Sequence, residues 1–113
     1  MAVDVISMTA LANAQAATAR NAPSGRAAHT VHGGSGHALR QVIMALAARH
    51  KLAEHENPGE ATLLVLSGLV ELATSTARAT LAAGEYVVFP QERHELTAIE
   101  DSVVLLTVVS RAG

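Results

Sequence analysis

Two histidines in the second half of the chain carry the clearest chemical potential. His55 opens the run His55-Glu56-Asn57-Pro58-Gly59-Glu60, and His94 follows Gly84 and Pro90. Each lies in a strand-like segment bounded by turn residues. Imidazole nitrogens and carboxylate oxygens together suit Zn, Fe, Ni or Mn. Carboxylates also gather around the two histidines: Glu54, Glu56, Glu60, Glu92 and Glu95. A pair of them can act as acid and base if burial raises one pKa, whereas exposed loop carboxylates do no chemistry. His29, His32, His37 and His50 flank turns or segment ends, which reads as surface placement. No serine sits in a nucleophile elbow. Gly33-Gly34-Ser35-Gly36 lacks the lysine of a phosphate-binding loop and reads as a turn.

Composition narrows the function classes. At 113 residues the chain makes one domain and can bury a core without staples. It has no cysteine, which excludes a disulfide framework, a thiolate metal site and a cysteine nucleophile. The net charge of −2 argues against nucleic acid and membrane surfaces as partners. Tyr86 and Phe89 are the only aromatics, so stacking platforms for bases or sugars are scarce. The first nineteen residues contain no Lys or Arg, and no run of ~18 apolar residues occurs; a soluble cytoplasmic protein is the expectation.

The elements that must position these groups are short. Ser7 caps a helix from Met8 to about Arg20, with a stripe of Met8, Leu11, Ala12, Ala16 and Ala19. That stripe is weak and needs something to pack on. Asn21-Ala22-Pro23-Ser24-Gly25 ends the helix. Arg26 to Val31 reads as a short strand. His37 to Lys51 fits two patterns: a helical face of Leu39, Val42, Ile43, Leu46 and Ala47, or a strand with Leu39, Gln41, Ile43 and Ala45 opposite Val42, Met44 and Leu46. Beyond Pro58-Gly59 the strands are plainer: Thr62 to Ser67, Leu69 to Thr74, Arg78 to Leu81, Glu85 to Phe89, His94 to Ile99 and Val103 to Val109. Strands at ~8–12-residue spacing indicate a sandwich or barrel. The last strand is apolar on both faces, so both faces should be covered.

This framework resembles the cupin family, whose small β-barrels hold a metal or ligand between two motifs. The first motif usually runs His-x-His, a Glu three or four residues on, and a closing Gly. Aligned on Gly68, His55 takes the first His position, Asn57 the second and Ala61 the Glu position, with Glu60 one residue early. In the second motif Gly84 and Pro90 match, Glu92 replaces a Gly, and His94 arrives one residue early. The resemblance covers about Arg26 to Val109 and implies an all-β cupin or jelly-roll barrel over residues 26–113. A helix and connector occupy residues 1–25. It favours strand over helix for 37–51.

The resemblance also implies where a site should be. Strand alternation puts His55 and Asn57 on one face, where His94 can meet them inside the barrel. Glu60 joins if the Pro58-Gly59 turn shifts the register, and Gln41 if it points inward. A stable site wants three or four ligands, and a neutral amide oxygen binds transition metals weakly. Two readings follow. One is a metal-free barrel that binds a small molecule at His55, Asn57, His94 and Gln41, in sensing or regulation. The other is a metal-dependent oxygenase or isomerase acting on a small metabolite, with one divalent Zn, Fe, Ni or Mn on His55, Asn57, Glu60 and His94. Either is compatible with a homodimer.

Overall fold

The structure, a computed structural model, describes residues 3–55 and 59–109, with residues 53–55 described by backbone only. One helix precedes nine strands: α1 Met8–Asn21, β1 Arg26–His32, β2 Leu39–Leu46, β3 Lys51–His55, β4 Glu60–Ser67, β5 Leu69–Thr74, β6 Arg78–Ala82, β7 Tyr86–Val88, β8 His94–Ala98 and β9 Ser102–Val109. They form a five-stranded sheet in the order β1-β2-β9-β4-β7 and a four-stranded sheet in the order β3-β8-β5-β6. Every strand pairing is antiparallel. The fold is all-β apart from α1.

Alternation along the strands builds two apolar layers. The inner layer lies between the sheets. It joins Leu46, Leu63, Val65 and Val104 of the larger sheet to Val70, Leu72, Leu81 and Leu96 of the smaller. The outer layer lies between the larger sheet and α1, where Ile43, Ala45 and Val103 meet Ala19. Met8, Leu11, Ala12 and Ala16 complete the helix side of that contact. The stripe expected from the sequence is therefore the face that packs. Ser7 Oγ accepts from Ala10 N at 3.1 Å and caps the helix. Ala22, held extended before Pro23, ends it.

Residues 39–46 form a strand although their composition suits a helix. β2 pairs with β1 on one side and β9 on the other, and both of its faces are covered. Tertiary burial outweighs a local preference of a few tenths of a kcal/mol per residue. The strand stops at Leu46, and the chain crosses to the other sheet through residues 47–50. Arg49 takes a positive φ of 74° in that crossing. Ala47 N donates to Gly25 O at 2.8 Å and Arg49 N to Ala98 O at 2.8 Å, which satisfies the backbone there.

The corner between β4 and β5 explains one glycine of the motif. Gly68 has φ 89°, and a Cβ there would collide with Ser102 Oγ and Asp101 O. Ser102 is buried; its hydroxyl accepts from Leu69 N at 3.0 Å and donates to Glu100 O at 2.7 Å. Gly84 has a similar φ of 85° but open space where a Cβ would be. Gly84→Ala should therefore cost only the backbone penalty of about 1–2 kcal/mol. Gly68→Ala should cost a further ~1–3 kcal/mol from overpacking. Urea denaturation of the two variants measures the difference, and equal losses would show that the corner is not tightly packed.

Candidate functional site

His94 begins β8 and is placed by the loop before it. Phe89 N donates to Ala61 O at 2.9 Å, and Gln91 Nε2 donates to Gly59 O at 2.9 Å. Both bonds tie the 89–93 loop to the start of β4. Pro90, with no N–H to offer a ladder, follows the end of β7. The loop then delivers His94 into the interior, where it is 1% exposed. Its ring stacks on Phe89, with centroids 4.4 Å apart and planes 13° from parallel.

The proton on His94 follows from its partner. Nδ1 lies 3.0 Å from Glu92 O. A carbonyl only accepts, so Nδ1 carries the hydrogen and donates. In the neutral ring Nε2 is then the lone-pair nitrogen, suited to accept a hydrogen bond or to ligate a metal.

The described part of the inner layer next to β8 is apolar. Ala61 is 2% exposed on the inner face of β4, beside Leu63. Phe89 and Leu96 belong to the same layer, with Val87 and Val108 packed against it. Phe89 was not among the sequence candidates. Its signal was available: one of two aromatics in the chain, next to Pro90 and five residues before His94.

The other candidates divide. His55 is the register partner of His94 across β3 and β8, so the backbone brings positions 55 and 94 together. Its side chain and all of Asn57 lie outside the described residues. Glu60 is a correction: it is exposed and alternates with the inward Ala61, so it sits on the outer face, opposite Val109. Its side chain does not turn inward. Gln41 is a second correction. It shares the face of Ile43 and Ala45, which meet α1, and Nε2 donates to Thr107 Oγ1 at 3.3 Å. Strand parity sends both residues away from the interior.

The remaining polar residues are peripheral. His29, His32, His37 and His50 are all exposed. Glu92 is exposed, and Glu95, next to His94 on β8, pairs with Lys51 at 3.6 Å. Among the described residues no group of three or more His, Asp or Glu side chains can hold a metal ion. Two of the four candidate ligands, the His55 and Asn57 side chains, lie outside that search. No described helix is long and apolar enough to cross a membrane.

Comparison with solved structures identifies the fold. A cupin 2 conserved barrel domain protein from Salinispora arenicola superposes with a TM-score of 0.72 over 99% of this chain and 92% of that one, at 16% identity. The chain is a small cupin-fold domain. An RmlC-like cupin from Desulfovibrio desulfuricans matches with a TM-score of 0.65 at 25% identity, over 74% of this chain and 81% of that one. A conserved Streptococcus pyogenes protein of unknown function matches with a TM-score of 0.72 at 26% identity, over 81% and 80%. No family model and no curated protein matches this sequence.

Two measurements check the site. Imidazole 15N shifts above the titration of His94 should assign its proton to Nδ1; a proton on Nε2 alone would contradict the Glu92 contact. Phe89→Ala should destabilise the fold by about 3–5 kcal/mol, as truncation of a buried aromatic does. Chemical denaturation reads this, and a loss below about 1 kcal/mol would mean that the ring does not fill the interior.

Proposed function

We propose that this cupin binds a small, largely apolar organic molecule between its sheets, without a resident metal, as a carrier or sensor and not as a catalyst. The observation that carries the reading is Ala61. It stands on the inner face at the position where the motif would supply a carboxylate, 2% exposed and packed in the apolar layer. With Glu60 turned outward, that part of the wall offers a ligand hydrophobic contact and His94 offers one polar group. Ligand pockets that bind without chemistry are built this way, mostly apolar with few polar groups to fix orientation.

An open groove lies beside the inner layer. It has a volume of about 250 Å³ and is lined by Arg26, Ala27, Ala28, Met44 and Leu52. Met44 and Leu52 also pack against the inner layer. Arg26 Nη1 donates to Lys51 O at 3.4 Å, spanning from β1 to β3 beside it.

One observation favours the metal-dependent alternative, the register pairing of His55 with His94. Elemental analysis after purification with added Fe, Mn, Ni and Zn separates the two readings. The proposal expects substoichiometric metal that chelation removes without unfolding. One tightly held metal per chain, lost in both His55→Ala and His94→Ala, would overturn it. For the ligand itself, native mass spectrometry and thermal-shift screening of small organic compounds should find stabilisation that persists in chelator. Ala61→Leu should abolish that stabilisation by filling the interior, and binding unaffected by this change would put the ligand elsewhere.

A further inference from the structure

Two histidines away from the motif positions meet at the tip of the β1–β2 hairpin. His32 ends β1, and His37 lies just before β2 begins at Leu39. Their ring centroids are 4.9 Å apart, with the planes at 70°. Both residues are exposed. Neither lies on β3 or β8, the strands that carry positions 55 and 94.

The backbone of the hairpin builds this approach. The register shifts between Thr30 and His32, so that His32 and not Val31 pairs with Gln41. A bulge of this kind re-aims a side chain. It puts His32 on the opposite face from Thr30, although strict alternation would put both on one face. The loop then closes tightly at its base. Gly33 has φ 127°, and a Cβ there would lie 3.0 Å from Arg40 Cα. His37 N donates to Gly34 O at 3.1 Å, a turn that folds the chain back and brings His37 onto His32.

We propose that His32 and His37 chelate a late first-row divalent cation, Cu(II), Ni(II) or Zn(II), in an exchangeable site on the hairpin. Imidazole is a donor that suits all three ions. The separation of the rings fits one shared ion. With a metal–nitrogen bond of ~2.0–2.1 Å and about 1.1 Å from nitrogen to ring centre, two imidazoles on one ion stand roughly 4.5 Å apart at a right angle and roughly 5.2 Å apart at a tetrahedral angle. The observed 4.9 Å lies between the two. Aiming one nitrogen of each ring at a common point needs rotation about χ2, a soft torsion in histidine, and both rings stand in open solvent. The edge-to-face contact given up is worth only about 0.5–1.5 kcal/mol. His29 lies on the same strand, yet among the described residues no group of three or more His, Asp or Glu forms. Two protein ligands leave the other positions to water, so the ion exchanges and does not hold the fold together. The site is independent of what the barrel interior binds.

The test titrates the full chain with Cu(II) and with Ni(II). In the wild-type chain, substoichiometric Cu(II) should broaden the ring-proton NMR signals of His32 and His37 together, before those of the other four histidines. Isothermal titration calorimetry should then show Ni(II) binding weakened at least about tenfold by His32→Ala and, separately, by His37→Ala, because a chelate is lost with either arm. His29→Ala should leave the affinity unchanged, and circular dichroism should show each variant folded. Broadening that begins at any other histidine would overturn the inference. So would a Ni(II) affinity that survives both single substitutions, or one that falls equally in His29→Ala, since the imidazoles would then bind one by one and not as a pair.

Discussion

β9 runs through the middle of the larger sheet with apolar side chains on both faces, and the rest of the molecule is arranged to take both faces out of water. Val104 belongs to the inner layer, with Leu106 and Val108 packed against it; Val103 lies outside, beneath α1. Each fully buried aliphatic side chain contributes roughly 1.5–3 kcal/mol, so neither face can be left open without loss. The smaller sheet answers the inner face. The outer one is answered by a helix of 14 residues that would be marginal in isolation. Helix and strand therefore depend on each other. α1 holds its shape because β2 and β9 give its alanine-rich stripe a surface, and β9 tolerates Val103 because α1 covers it. The Gly68 corner adds a fixed point at the first residue of β9, where the Ser102 hydroxyl links the loop carbonyl of Glu100 to the amide of Leu69.

Much of this was legible in the sequence, and the exceptions have physical causes. Glycines and prolines mark where the backbone must turn, and that requirement is local. Gly68 and Gly84 both adopt positive φ, and Pro90 follows β7, so the strand boundaries from β4 onward could be read directly. Residues 37–51 were harder because an alternating pattern with both faces buried also satisfies a helical period. Only the pairing of β2 between β1 and β9 decides it, and pairing is not a local property. The crossing at 47–50 was hidden for the same reason. It is held by bonds to Gly25, Ala98 and Asp101, all distant in sequence.

Site residues were harder again, because facing inward depends on parity. A register that is off by one residue exchanges the two faces of a strand. Glu60 and Gln41 carry suitable chemistry and lie in the right strands, yet each alternates with the residue that faces inward. In β4 that residue is Ala61, and the aliphatic run from Leu63 to Leu66 cannot reveal which member of a consecutive pair is inside. Pairing with β7 and β9 reveals it.

The electrostatics of the interior follow from that parity. Among the described residues His94 is the one large polar side chain that is fully buried, and its ring stacks on Phe89, which has no charge to offer. A neutral imidazole is tolerable there because Nδ1–H is matched by the Glu92 carbonyl. A dication in the same place would need anionic ligands to offset its desolvation, since buried charge is costly unless paired. The larger sheet presents an alanine methyl where such a ligand would stand. Under the proposed reading Ala61 acts twice: it offers no metal donor at the motif's carboxylate position, and its buried methyl adds apolar surface for a neutral guest.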